Sequence, residues 1–521
     1  MEWIVLGQNK GKYQLISKTP RNFEDIGLLP KGSYLTVELN EKCKVILRVE
    51  NSIQHEPYSP SPMIIEMEGE GLLADKKCLN IIDAVPVKYT DMREDGLVYP
   101  IPPQKIARRS NQQEINEAIG GILNRGAEVF LATIQFGQNQ KLIDNNRNFI
   151  RVHLPDDMFF HQILITGKTG SGKTVAAKYL AQYFVESEEI NGAVLAINVK
   201  DRDFLQMDKA SNIITDKIEK EWSELEQIAH EVTNMSIYYP SNTDIHQVYG
   251  IDYNRCKAIS LNVATLEPES LIAVLQNITQ IGAMNLPDIF RYWQERIRKE
   301  YNTFTDFVRY FINAEEDSRL FRTLNIREEE IDVKLNPGTY ASILRNLQAC
   351  VEFFDDGETI DETNILERGK LSIINVTGDK GTQFGSILLR DLLKRIVRAK
   401  SHGESDVPIL IIIDEVHQFY NTESSKVALG DLNTICRTGR SQKIGVIFSS
   451  QNPSDIPRGL GSIINTKFFF KTDTDAAKNL GFTKSEMESL ETGYSVVNIH
   501  GIPQLRVVKF PLSYAGVYNN D

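Results

Sequence analysis

Apolar positions along this chain fall into two rhythms. Up to about residue 150 they alternate with polar ones in short runs: Trp3–Leu6, Tyr13–Ser17, Tyr34–Leu39, Lys44–Val49, Met63–Met67 and Val129–Ile134. A period of two, broken by turn-rich pieces such as Pro30-Lys31-Gly32 and Gly69-Glu70-Gly71, predicts the short strands of a small barrel or sandwich. The segment Tyr89–Asn116 is rich in proline and charge and is expected to run over the surface. Beyond Arg151 the rhythm changes. Ile163–Thr166, Ala193–Val199, Leu371–Val376, Ile409–Ile413 and Val446–Ser449 are nearly continuous apolar runs, as strands buried on both faces read. Phe468–Lys471 is expected to add a strand, and Tyr494–Phe510 a hairpin around Gly501.

Helical spacing fills the gaps. Val175–Glu186, Gln383–Lys400 and Ser425–Arg437 each follow one of the apolar runs. A longer helical stretch holds Ile218–Val232, Pro268–Met284, Leu286–Tyr301, Thr305–Asn313 and Gly338–Phe354, with one strand expected at Ala258–Val263. The alternation of strand and helix predicts an α/β fold with a parallel sheet. The expected division is a β-rich domain at 1–150, an α/β core at 151–216 and 369–500, a helical insertion at 217–368, and a tail at 501–521.

One stretch carries specific chemistry. In His161–Tyr179 a short strand ends in Gly167-Lys168-Thr169-Gly170-Ser171-Gly172-Lys173-Thr174 and opens into a helix, the pattern G-x-x-x-x-G-K-[ST]. Glycines let the backbone wrap a polyphosphate, and the helix start adds the positive end of its dipole. Gly167, Thr169, Gly170, Ser171, Gly172, Lys173, Thr174 and Val175 are therefore the expected nucleotide contacts. Lys173 would reach the β- and γ-phosphates and the Thr174 hydroxyl would hold Mg²⁺. A loop of this kind needs a second element. The aliphatic run Ile409–Ile413 supplies it by ending in Asp414-Glu415. Asp414 is the expected Mg²⁺ ligand, and Glu415 the general base that polarises water, which favours a hydrolase over a kinase. Gln451, closing the next strand, is expected to sense the γ-phosphate. Arg440 and Arg437 precede that strand, where one could reach a neighbouring copy's site as an arginine supplied in trans.

Composition narrows the setting. Among 521 residues, 41% are hydrophobic and 25% charged, as in an ordinary soluble protein of several domains. No apolar run is long enough to span a bilayer and the N-terminus does not read as a secretory signal. The five cysteines are scattered without a CxxC pair, which excludes a disulfide framework or zinc site and suits the cytoplasm. The net charge of −12 means that any DNA contact must come from a local basic strip such as a pore.

Taken in order, the β-rich N-terminal part, GKTGSGKT, the helical insertion, IIIDEVHQF and RTGRSQKIGVIFSSQNPSDIP resemble the HerA branch of the HerA/FtsK superfamily. The resemblance implies a RecA-like P-loop ATPase core, an N-terminal β-barrel that helps assembly, and a helical-bundle insertion. It implies a homo-oligomer, a hexamer that threads double-stranded DNA through a central pore and is driven by ATP and Mg²⁺. Lys173 and Thr174 then match the Walker A pair, Asp414 and Glu415 the Walker B pair, Gln451 the glutamine after the following strand, and Arg440 the trans arginine. Lys200, Arg202 and Lys380 are the expected pore contacts. Two departures stand out. Many relatives carry an arginine just before the Walker A strand, where this chain has His161. The turn after the next strand reads Asn198-Val199-Lys200-Asp201-Arg202-Asp203, closer to HerA-like ATPases of bacterial antiviral defence modules. In such modules the effector, a nuclease or a sirtuin-like NAD hydrolase, is a separate polypeptide, and this chain shows no nuclease constellation of its own. The alternative is a nucleotide-regulated scaffold that gates a partner enzyme without moving along DNA. A polypeptide translocase is a third reading.

Overall fold

A computed structural model describes residues 2–17, 28–41, 43–55, 79–90, 100–119, 125–135, 138–144, 147–200, 202–243, 252–274, 279–314, 318–355, 358–377, 381–416, 439–456 and 458–518. The strand expected at Met63–Met67 and the helix expected at Ser425–Arg437 lie outside them.

The N-terminal alternation closes into a barrel. Its strands are β1 (Glu2–Asn9), β2 (Lys12–Ser17), β3 (Tyr34–Glu38), β4 (Lys44–His55), β5 (Leu79–Thr90) and β6 (Ile106–Arg109), in the order β1-β2-β5-β4-β3-β6 and back to β1. Inward positions such as Trp3, Val5, Leu15, Val37, Leu47 and Ile82 fill the interior. Closure pairs every strand on both sides and leaves no edge to recruit another chain. Part of the segment expected to run over the surface is thus a barrel strand, β6.

A second sheet carries the rest. It contains β7 (Ala127–Gln135), β8 (Gln138–Lys141), β9 (Arg151–Leu154), β10 (Ile163–Thr166), β11 (Ala193–Asn198), β12 (Met235–Pro240) and β13 (Cys256–Ile259). After the small hairpin β14 (Leu320–Leu324) and β15 (Glu330–Lys334), it resumes with β16 (Leu371–Asn375), β17 (Ile409–Ile413), β18 (Ile444–Ser450), β19 (Thr466–Phe469), β20 (Tyr494–Asn498) and β21 (Val507–Lys509). The order is β13-β12-β16-β11-β17-β18-β10-β19-β20-β21-β7-β8, with β9 on β7. From β13 to β19 every pairing is parallel. The apolar runs are buried on both faces as expected, and period two sorts them. Leu195, Ile197, Ile411 and Ile413 face one core, Val194, Ala196, Leu410 and Ile412 the other. The second core holds the helix Lys173–Glu186 through Ala176, Ala177, Leu180 and Phe184.

Two boundaries differ from the sequence expectation. The strand at 127–135, grouped there with the barrel, instead pairs with β21 in the large sheet. Alternation reveals a strand but not its partner. In the region 217–368 the strand expected at Ala258–Val263 is seen as β13, and an unexpected strand, β12, joins it to the core sheet beyond β16. The helices Gln280–Tyr292, Phe304–Asn313 and Pro337–Cys350 join the first core through Phe290, Phe307, Phe311 and Tyr340, and Trp293 follows just beyond the first of them. The hairpin expected around Gly501 is present as β20 and β21. Its loop meets the barrel, where Arg48 Nη1 donates to Gln504 O at 2.7 Å, and the short helix Lys484–Glu488 before it adds Glu486, which pairs with Lys31 Nζ at 3.1 Å.

Candidate functional site

Parallel strands deliver their carboxyl ends to one edge of the sheet, where ligands of open α/β folds lie. Here β10 leads into Gly167, β17 into Asp414 and β18 into Gln451, and β11 ends at Asn198. β18 lies between β10 and β17, in register with both: Thr166 pairs with Ser450, and Ile413 with Phe448. The phosphate loop and the acidic pair are thus held one strand apart on a rigid layer, with Gln451 between them.

The loop needs its glycines. Gly167 has φ +154°, and a Cβ there would meet Phe470 Cβ at 2.7 Å. Gly172 has φ +99°, and a Cβ there would meet Gly493 N at 2.9 Å. Gly172 then starts the helix Lys173–Glu186 without any side-chain cap, so the first-turn amides are left for a ligand. Neighbouring segments brace the loop from outside. Lys168 N donates to Lys471 O at 2.8 Å, Gly493 N to Ser171 O at 3.0 Å, and Thr492 Oγ1 to Gly170 O at 3.2 Å. Lys173 is buried and folds back over the loop, donating to Gly167 O at 2.5 Å and to Lys168 O at 3.0 Å. Burial pulls its ammonium below the usual lysine range, with Glu415 opposing. A buried cation satisfied only by carbonyls gains when phosphate oxygens replace them. Thr169 and Gly170 are exposed at the loop tip, and Thr174 and Val175 are half-buried in the first helical turn.

Asp414 and Glu415 are 3% and 5% exposed. Glu415 sits at φ +46°, a left-handed position that costs a non-glycine residue on the order of 1 kcal/mol or more and collects at functional sites. Asp414 Oδ1 accepts from Glu415 N at 3.0 Å, which fixes the carboxylate against its own turn. A buried acid with one oxygen so engaged and the other facing a cation fits a Mg²⁺ ligand. In this structure that cation is Lys200. Its Nζ lies 3.0 Å from Asp414 Oδ2, 3.3 Å from Glu415 Oε1 and 3.5 Å from Asp203 Oδ2. Burial alone would lower the Lys200 ammonium, but Asp414 and Asp203 outweigh it and hold it well above the ordinary range. The Lys200 side chain, expected at the pore, here turns to the carboxylates. A buried acidic pair needs a counter-charge, and the parallel pairing of β11 with β17 brings Lys200 within reach. Arg202 is exposed, while Lys380 and Arg437 lie outside the described residues.

Gln451 is exposed where β18 stops. The turn beyond it is pinned by Asp455, whose carboxylate accepts from Asn452 N at 3.1 Å and from the Ser450 hydroxyl. Arg440 is placed quite differently. It precedes the amino end of β18, so about 20 Å of strand, at roughly 3.3 Å per residue, separates it from the phosphate loop of its own subunit. There Arg440 Nη2 lies 3.5 Å from Asp157 Oδ2, and the same oxygen lies 3.3 Å from His161 Nε2. The His161 ring stacks on His500 with centroids 3.4 Å apart. Burial, His500 and Arg440 together lower the His161 pKa. Asp157 and His500, which the sequence did not single out, thus join the two positions that it did. No motif spacing marks either residue, since they lie 343 positions apart (500 − 157). No helix among the described residues is long and apolar enough to cross a membrane.

Comparison with known proteins shows the family. Residues 141–396 match the family model for the helicase HerA central domain, and residues 378–467 the HerA-like C-terminal one. The DNA double-strand break repair helicase HerA of Sulfurisphaera tokodaii is 24% identical over 180 residues, covering 31% of this chain and 36% of that protein. The chain therefore spans about a third of that curated relative. Among solved structures, VirB4 of Thermoanaerobacter pseudethanolicus is similar with a TM-score of 0.46 at 12% identity, over 75% of this chain and 98% of that one. The plasmid coupling protein TrwB in complex with ADP and Mg²⁺ gives 0.41 at 14% identity, over 76% and 95%.

Proposed function

We propose that this chain, which belongs to the HerA-like ATPases, hydrolyses ATP at sites shared between adjacent copies in a ring and uses the energy to move double-stranded DNA through a central pore. One observation carries the reading. Lys173, Thr174, Asp414, Glu415 and Gln451 gather at one edge of the sheet, while Arg440 stands at the other. Arg440 stands too far from the phosphate loop of its own chain to reach it, and is displayed on the surface where another subunit could use it.

Each residue has a role that its placement supports. The loop amides and Lys173 bind and orient the phosphates. Glu415 takes the proton of the attacking water as its oxygen approaches the γ-phosphorus, and Gln451 orients that water. Thr174 and Asp414 are the groups that would hold Mg²⁺, which offsets charge on the phosphate oxygens. Arg440 of the adjacent copy stabilises the charge that develops on transfer. Hexamer formation, the DNA substrate and a separate nuclease or NAD-hydrolase effector in antiviral defence follow the family resemblance. The net charge of −12 favours keeping the scaffold alternative, because a pore must overcome that field locally. ATPase assays with and without duplex DNA, alongside mass measurement of the assembly, test the proposal. Hydrolysis stimulated by DNA in a ring supports the motor. Hydrolysis indifferent to DNA sinks it in favour of the scaffold.

A further inference from the structure

The turn after β11 places an ammonium where the chemistry of the site calls for a metal ion. Lys200 Nζ reaches Asp414 Oδ2 at 3.0 Å and Glu415 Oε1 at 3.3 Å, so one cation serves both buried acids. Two adjoining carboxylates taken from water repel each other and lose hydration, and a shared cation offsets both costs. The backbone beneath Lys200 is built to hold it there. Asn198 Nδ2 donates to Lys200 O at 2.5 Å and to Asn375 Oδ1 at 3.1 Å, while Asn198 Oδ1 accepts from Phe204 N at 3.3 Å. One amide thus ties the turn at both ends to the neighbouring strand β16. The Lys200 side chain itself is 40% exposed, so it can swing into solvent without breaking the core.

We propose that Lys200 is a resident counter-cation that occupies the Asp414–Glu415 pair in the nucleotide-free protein and is displaced when Mg²⁺ arrives with nucleotide. The proposal rests on the ATPase reading of this site. An ammonium and a divalent cation repel each other at one carboxylate. Mg²⁺ alone therefore competes poorly for Asp414, and competes well once phosphate oxygens and the Thr174 hydroxyl complete its ligand set. Lys200 is a positioning residue: it acts by keeping Asp414 and Glu415 engaged until the substrate is in place. Its ion pair with Asp414 ties the turn that carries it to the end of β17, so its release loosens that turn while the Asn198 clamp to β16 stays. Asp203, 3.5 Å from Nζ, remains as its partner after release.

The test uses Mn²⁺ as the probe and the nucleotide-free full-length chain. Electron paramagnetic resonance counts free Mn²⁺ during titration of the wild type, K200M, K200R and the double variant K200M/D414N. K200M is expected to bind Mn²⁺ about tenfold more tightly than wild type, K200R as weakly as wild type, and the double variant to lose the gain. Unchanged or weaker Mn²⁺ binding in K200M overturns the proposal, as does tight binding by K200R. Hydrogen exchange of the amides at 199–205 supplies the second readout. It is expected to quicken in wild type when Mg²⁺ and a non-hydrolysable ATP analogue are added together, and to be fast already in K200M. A turn that ignores Mg²⁺ and analogue, in protein that binds them by a fluorescent-nucleotide assay, also overturns it. Failure of nucleotide to bind at all sinks the ATPase reading instead, and leaves the Mn²⁺ comparison to be judged on Asp414.

Discussion

Arg440 Nη2 lies 3.5 Å from Asp157 Oδ2, on the side of the sheet opposite the phosphate loop. Both side chains are more than half exposed, so the pair contributes on the order of 0–1 kcal/mol. Exchanging Asp157 for a phosphate of another subunit therefore costs little. Arg440 is parked rather than buried, as an arginine that acts in trans needs to be.

Arg440→Ala is expected to leave nucleotide binding intact and to lower turnover by roughly a thousandfold, the usual worth of such an arginine. Subunit mixing gives the sharper reading. Arg440→Ala chains combined with Lys173→Ala chains should hydrolyse ATP faster than either alone, since one supplies the intact loop and the other the arginine. An inactive mixture would remove the trans role.

Lys173→Ala and Glu415→Gln should separate binding from chemistry. Wild type is expected to gain about 2.7 kcal/mol of stability at a ligand concentration a hundred times Kd, read as a rise in Tm. Lys173→Ala loses that shift, because its ammonium is replaced by nothing over the loop carbonyls. Glu415→Gln keeps the shift and loses roughly a hundredfold or more in turnover. Normal turnover in Glu415→Gln would remove its assignment as base.

The two loop glycines should differ. Gly172→Ala combines a left-handed φ with a Cβ placed 2.9 Å from Gly493 N, whereas Gly170, at φ +76°, has nothing within 4 Å of the added carbon. Gly170→Ala is expected to cost about 1 kcal/mol in backbone strain alone. Gly172→Ala should cost more, and should weaken nucleotide binding by shifting the loop against Gly493. Denaturant titration and nucleotide affinity, measured on both variants, check the order.

Histidine 161 should make the fold acid-sensitive. Burial, His500 and Arg440 lower its pKa below the unfolded value of 6.5. The unfolded chain then binds its proton more readily than the folded one, so this contribution is present above pH 6.5 and is lost as pH falls toward the folded pKa. His161→Gln should flatten the loss of stability between about pH 7 and the acid side of 6.5, seen as a smaller drop in urea midpoint. His230 has the opposite sign, since its hydrogen bond to Glu186 raises its pKa. A double series with His230→Gln keeps the two effects apart.

Local pattern was enough for much of this protein. Period-two alternation determined the barrel strands, continuous aliphatic runs determined the doubly buried ones, and glycine spacing determined the phosphate loop. Each rests on interactions within a few residues: side chains alternating across a strand, or backbone freedom at Gly167 and Gly172. Asp414 and Glu415 were legible for the same reason, standing at the end of a run too apolar to tolerate them elsewhere. Tertiary structure alone decided what meets across the chain. It assigned the strand at 127–135 to the large sheet, since a strand's partner is chosen by packing and not by its own alternation. It added β12 within a stretch that reads as mostly helical, and joined β13 through it to the core sheet. It joined Asp157, His161, His500 and Arg440 over hundreds of positions, and it turned Lys200 from the surface onto the acidic pair. Burial creates the need for that last contact: two carboxylates deprived of water attract a cation that no sequence window contains.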